Sequence, residues 1–177
     1  NVSLVDTTNH FFPGSIRDNF QLVLPNANNE RIYWACKMAN LDETMRELNV
    51  TNETQIQDLK EIWNADFQIK LSLARALIRN PKVLILDDVF SLMDTDSILE
   101  FKTNFANISK SRTLILISRE LQNLMLCKKL MFFTGPVLAQ FGQTQNVLTE
   151  SGPAQDLMKK QLKLLSPKFE QNYDSLI

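Results

Sequence analysis

The stretch QIKLSLARALIRNPKVLILDDVFSLMD, running from Gln68 to Asp94, decides the fold. Ile69, Leu73, Ala76 and Leu77 recur at helical spacing, which predicts an amphipathic helix starting near Gln68. Pro81 lacks an amide proton and disfavours helical geometry at Asn80, so the chain leaves the helix before the apolar run VLIL. Val83 to Leu86 then reads as a short strand without alternation, expected to be covered on both faces. Such a strand delivers Asp87 and Asp88 to its carboxyl end, the edge of an open parallel sheet where ligands usually bind.

Working outward, residues 95 to 109 read as a helix capped from Asp94, Thr95 or Asp96 and packed through Ile98, Phe101, Phe105 and Ile108. The run TLILI, Thr113 to Ile117, is a second strand, also expected to be buried on both faces. Strand, helix and strand at this spacing make a βαβ unit and a parallel sheet. Lys129 to Phe133 and Val137 to Phe141, separated by Thr134, Gly135 and Pro136, predict a hairpin. An amphipathic helix follows from Pro153 to Leu165, and the last dozen residues read as a tail. Upstream, Glu30 to Leu48 reads as one helix with Ile32, Ala35, Cys36 and Ala39 on its buried face, and Ile56 to Trp63 as another. Residues 1 to 12 are polar and then aromatic, and no strand is assigned there. His10, beside Phe11 and Phe12, has no neighbour that would orient it as a base, so it is given no chemistry.

Composition bounds the function. A chain of 177 residues, 44% hydrophobic and 22% charged, suits one globular domain with a real core. A net charge of -1 gives no basic surface for nucleic acid or an anionic membrane. No apolar run approaches a membrane span and no secretory leader pattern opens the chain, so it reads as intracellular. Cys36 and Cys127 stand without a CxxC or CxxH companion, which leaves metal and redox chemistry little support.

The order LARALIRNP, VLILDD, SLMD resembles the segment of ATP-binding cassette (ABC) domains that runs from the signature helix through the Walker B strand to the D-loop. PGSIRDNF, Pro13 to Phe20, resembles the GTIREN segment after the Q-loop of exporter-type cassettes, and Glu30 to Leu48 resembles the first helix of their helical subdomain. The resemblance implies that Asp87 works through a magnesium ion, that Asp88 positions the attacking water, and that Asp94 serves the interface between paired domains. It puts Thr7 where the family carries the Q-loop glutamine, and Arg119 where the family carries a histidine that contacts the γ-phosphate. Arg119 can hold a phosphate, or it is a solvated arginine at a strand end; both readings stand.

Departures from the family pattern are concentrated in the site. Where the family has LSGGQ, this chain has Trp63, Asn64, Ala65, Asp66 and Phe67. Both glycines that would let amides approach a phosphate are gone. Asp66 would set a charge beside the polyphosphate, and two like charges at ~4 Å repel by about 4 kcal/mol at a near-surface dielectric. Asp88, one bond shorter than the family's glutamate, withdraws its carboxylate by roughly 1 Å, a displacement that can cost ~100-fold in rate. No P-loop GxxxxGK[ST] occurs, since none of the four glycines is followed by lysine.

The fold expected is therefore α/β: a P-loop NTPase-like partial domain with a parallel βαβ core, a helical subdomain at about 30–80 and a terminal β-hairpin. Residues 1–150 form the cassette segment, with Walker B to the end of the sheet at 81–150, and 151–177 the C-terminal helix and tail. Either the chain is a piece of a longer protein or it is a naturally reduced relative. The missing portion would include a strand beside Val83 to Leu86, leaving a hydrophobic sheet edge. By resemblance the function is that of a degenerate cassette segment of an exporter-type transporter on the cytoplasmic face of a membrane. ATP and Mg²⁺ would be its cofactors. Its partners would be a second nucleotide-binding domain, transmembrane domains and an upstream P-loop segment. The alternative is a non-catalytic interaction module that has lost nucleotide.

Overall fold

The computed structural model describes residues 1–165, and the expected C-terminal tail lies outside them. The chain divides into two compact units, Asn1–Ile117 and Ser118–Ile177. The first is organised on a three-stranded parallel sheet of β1 (Val2–Val5), β2 (Val83–Asp87) and β3 (Thr113–Ile117), in that spatial order. In register, Leu4 lies beside Ile85 and Ile85 beside Ile115, while Val5, Leu86 and Leu116 form a row on the other face.

The two faces of this sheet differ. Leu84 and Leu86 are fully buried and Val5 nearly so, whereas Val2 (62%), Leu4 (56%), Ile115 (43%) and Ile117 (48%) are exposed. The expectation that both strands are covered on both faces therefore fails for β3, whose residues alternate between exposed and half-buried. The expected bare edge beside β2 is also absent, because β1, a strand that the sequence reading missed, pairs with β2 opposite β3. What lies open is one apolar face of the sheet.

The helix expected near Gln68 begins three residues earlier, as α4 (Ala65–Leu77). Asn64 is its N-cap, accepting the Phe67 amide at 2.8 Å, and Ile69, Leu71, Leu73, Ala74 and Leu77 are buried beneath it. Fully burying a leucine-sized side chain contributes roughly 1.5–3 kcal/mol, so this helix is a principal part of the core. At its far end Arg31 donates to the Ile78 carbonyl and Arg112 to Asn80, cations placed where the helix dipole favours them. The segment expected as one helix from Glu30 to Leu48 is two, α2 (Asn29–Met38) and α3 (Asp42–Glu47). Asn40 adopts a left-handed φ of 55° between them, a conformation asparagine tolerates better than most residues. Ile56 to Trp63 is reduced to a single 3₁₀ turn at Ile56–Leu59.

Upstream, α1 (Ile16–Gln21) opens on a capping box in which Ser15 and Asp18 satisfy each other's amides. Its Asn19, 1% exposed, pins the preceding loop by accepting the Phe12 amide and donating to the Phe12 carbonyl. Helix α5 (Thr95–Ser109) follows β2 as expected, and its Phe101 stands edge-on between Phe90 and Phe105. The second unit carries the short helix α6 (Leu121–Leu124) and the expected hairpin, β4 (Lys129–Thr134) and β5 (Val137–Gln143), with a register shift at Phe132/Phe133. Helices α7 (Thr144–Thr149) and α8 (Pro153–Leu165) complete it, with Ala154 and Met158 buried on α8.

Candidate functional site

The carboxyl edge of the parallel sheet carries Asp6 after β1 and Asp87 and Asp88 at the end of β2. Asp87 is the last residue of β2, half-buried and in register with Ile117. Asp88 then turns the chain off the sheet with a left-handed φ of 53°. Its amide donates to the Ile117 carbonyl at 2.9 Å, and its own carbonyl accepts the Ser91 hydroxyl at 2.6 Å. A 3₁₀ turn over Val89–Leu92 carries the chain to Asp94, the N-cap of α5, whose carboxylate accepts the Ser97 amide at 2.8 Å. That amide, followed by the Ser97 side chain, holds the Asp94 carboxyl below its ordinary range, with Lys70 adding to the effect.

Two positions treated separately in the sequence meet here. The Asp94 amide approaches Asp66 Oδ1 at 3.3 Å, which joins the start of α4 to the start of α5. Asp66 is not an isolated charge: Lys70, one turn along α4, lies 3.2 Å from its other oxygen and 3.7 Å from Glu100. Lys70 is itself 5% exposed. The repulsion expected between a bare Asp66 and a phosphate is reduced by this partner.

The helix start that would face a phosphate is already occupied from within. Asn64 takes the Phe67 amide, and Asp66 sits in the first turn where the positive end of the helix dipole favours a carboxylate. Ala65 is exposed at the first helical position, and Phe67 is buried against Trp63, which in turn meets Phe11 edge-on at 5.0 Å. Asn64 through Phe67 thus read as a self-contained helix cap, a signal present in the residue types themselves.

Thr7 is exposed in the turn after β1, at the same sheet edge as Asp87. Beside it Asp6, which the sequence reading passed over, accepts the Thr8 hydroxyl and the Thr8 amide, and these hold its carboxyl below the ordinary range. Arg119 belongs to the second unit, where it is exposed and its carbonyl accepts Gln161 Nε2 at 2.7 Å.

These residues fit the two implied cofactors unequally. No group of three or more histidine, cysteine, aspartate or glutamate side chains able to hold a metal occurs among the described residues. Magnesium bound through one or two carboxylates needs substrate phosphates to complete its shell, so Asp87 suits it only beside a nucleotide. The sequence holds no GxxxxGK[ST] motif, so it supplies no P-loop lysine to a polyphosphate.

Comparison with known proteins decides the kinship. The chain is 28% identical over 173 residues to P-glycoprotein 14 of Caenorhabditis elegans, covering 98% of the chain and 13% of that protein. It is 29% identical over 162 residues to ABC transporter B family member 2 of Dictyostelium discoideum, covering 92% of the chain and 12% of that protein. Its homologues are ABC transporters. A bacterial Atm1-family ABC exporter with ATP bound shares the fold, with a TM-score of 0.82 and 20% identity over 91% of this chain and 28% of that one. No protein-family model matches. The chain spans about an eighth of the length of the two named ABC transporters, and no helix among its described residues is long and apolar enough to cross a membrane.

Proposed function

We propose that this chain is a degenerate cassette segment of an exporter-type ABC transporter, contributing to ATP binding and to nucleotide-dependent pairing of two cassette domains on the cytoplasmic face of a membrane. The observation that carries this reading is Asp87 at the carboxyl end of the middle strand of a parallel sheet, on a chain whose homology to ABC transporters extends over nearly its full length. Asp87 would hold Mg²⁺, which when bound neutralises charge on the phosphates. Asp88 is a shortened water-positioning group. Asp94 and Thr7 sit at the rim, Asn64, Ala65, Asp66 and Phe67 take the signature position, and Arg119 replaces the phosphate-contacting histidine. The open apolar face made by Val2, Leu4, Ile115 and Ile117 supports a covering segment from elsewhere in a longer protein, the P-loop portion of the cassette. Transmembrane domains and a second cassette would be its further partners.

A second reading, an interaction module without nucleotide, is favoured by the capped start of α4, where Asn64 and Asp66 take up the amide and the dipole that a phosphate would use. Equilibrium binding of a fluorescent ATP analogue with Mg²⁺ to this chain joined to its upstream sequence separates the two. Saturable binding weakened by Asp87→Asn supports the first, and no saturable binding supports the second.

A further inference from the structure

A cavity of about 270 Å³ lies in the first unit between β1 with its following turn and the side of α4. It lies just below the roughly 300–1,000 Å³ usual for ligand pockets and suits a solute of amino-acid size. Leu4 and Ala76 are among its apolar walls. Its polar lining comes from two sides: Ser3 of β1 with Asp6, Thr8, Asn9 and His10 of the following segment, and Ser72 and Arg75 of α4.

Asp6 Oδ1 takes the Thr8 amide and hydroxyl and Arg75 reaches the His10 carbonyl, but two polar atoms of the lining stay unpaired. Ser72 is 7% exposed, and its Oγ has no hydrogen-bond partner; neither has the buried Oδ1 of Asn9. A serine inside a helix commonly satisfies itself on the carbonyl one turn back, and leaving a buried polar group unpaired costs about 1–3 kcal/mol. Asp6 and Arg75 both line the cavity, yet no ion pair joins them. Arg75 gives one N–H to the His10 carbonyl at 2.7 Å and stacks its guanidinium over Phe11 at 4.7 Å. Burial lowers the pKa of Arg75, and no carboxylate offsets that effect.

The unpaired Asn9 Oδ1 beside the Asp6 carboxylate, and the unpaired Ser72 Oγ beside the Arg75 guanidinium, suit a ligand that is itself dipolar. We infer that this cavity binds a small zwitterion of the α-amino-acid class, with its ammonium toward Asp6 and Asn9 and its carboxylate toward Ser72 and Arg75. The ligand would supply the partners that Ser72 Oγ and Asn9 Oδ1 lack and would bridge two charges that are otherwise separate. The inference is independent of nucleotide binding, because neither Asp87 nor the start of α4 lines the cavity.

Isothermal titration of the full chain with L-threonine, L-asparagine and L-glutamine tests it, with propionate and propylamine as singly charged controls. Saturable binding of at least one amino acid is expected, about tenfold weaker for either control, as loss of one charge-assisted contact implies. Ser72→Ala removes only the hydroxyl and should weaken binding by about fivefold without lowering thermal stability, since it relieves an unpaired group. Asp6→Asn should weaken the amino acid more than propionate. Binding by none of the three amino acids, binding no tighter than the controls, or binding indifferent to both Ser72→Ala and Asp6→Asn would overturn the inference.

Discussion

Replacing Lys70 by methionine keeps most of the side chain's length and removes its charge, which isolates what the ammonium does. Lys70 is 5% exposed and lies 3.2 Å from Asp66 and 3.7 Å from Glu100. The Asp66 side chain is 15% exposed, so without Lys70 a carboxylate stays largely out of water with the Asp94 amide at 3.3 Å and the start of the α4 dipole left to stabilise it. Removing one partner of a buried pair costs roughly 3–5 kcal/mol, and this remaining support places the expected loss near the lower bound, about 3 kcal/mol. Glu100 is 52% exposed, so Glu100→Gln should cost under about 1 kcal/mol. Asp66→Asn combined with Lys70→Met should recover most of the loss, because a buried pair replaced by neutral groups of similar size is often close to neutral. Urea denaturation at neutral pH, followed by circular dichroism, measures these three variants and the Asp66→Asn single. A Lys70→Met loss no larger than that of Glu100→Gln, or a double variant as unstable as the sum of the singles, would refute the claim that Lys70 stabilises the Asp66 carboxylate at the start of α4.

Other outcomes follow from single contacts. Asn64→Ala should cost about 1 kcal/mol, as the Phe67 amide loses its cap, with the melting temperature as readout. The Asp94 carboxyl is depressed in the folded state, chiefly by the Ser97 amide, so its stabilisation is fully present above its unfolded value of about 3.9 and disappears as pH falls through the lower folded value. Asp94→Asn should flatten that acid limb of the stability profile while leaving the helix capped. Burial pushes the Cys36 thiol up to about 12, with Asp42 adding to the effect, so it should resist a thiol reagent at pH 8 in the native protein and react once urea unfolds it.

Much of the fold is legible in the sequence where local chemistry and long-range packing agree. Pro81 and the apolar runs at 83 and 113 identify β2 and β3, and the polar caps around Asp94 identify α5. Val2 to Val5 escapes notice because four residues ahead of a polar loop carry little periodicity, and only pairing with β2 makes them a strand. The break at Asn40 is hidden because buried positions continue through Leu41 and Met45 across it, and a pattern of burial does not report a left-handed backbone. The exposed face of the sheet is unreadable for a related reason: TLILI has the composition of a covered strand, and covering depends on what else is present. In the site, Asp87, Asp88 and Asp94 fall where the strand and its turn dictate. Asp66 is different, because its partner Lys70 is four residues away on the same helix, a spacing the sequence displays openly. The phosphate-facing role implied for Asn64 to Phe67 competes with an ordinary N-cap, and the structure forms the cap. The meeting of Asp66 with Asp94, 28 residues apart, is a tertiary contact that no local pattern contains.

The most direct test of the proposed function is uptake of Mn²⁺, in place of Mg²⁺, by the chain joined to its upstream sequence in the presence of ATP, read from loss of the free-ion electron paramagnetic resonance signal. Saturable uptake that requires ATP is expected, weakened at least about tenfold by Asp87→Asn, the loss of one charged metal ligand, and little changed by Asp88→Asn. Absence of ATP-dependent uptake, or uptake indifferent to Asp87→Asn, would contradict the proposed function.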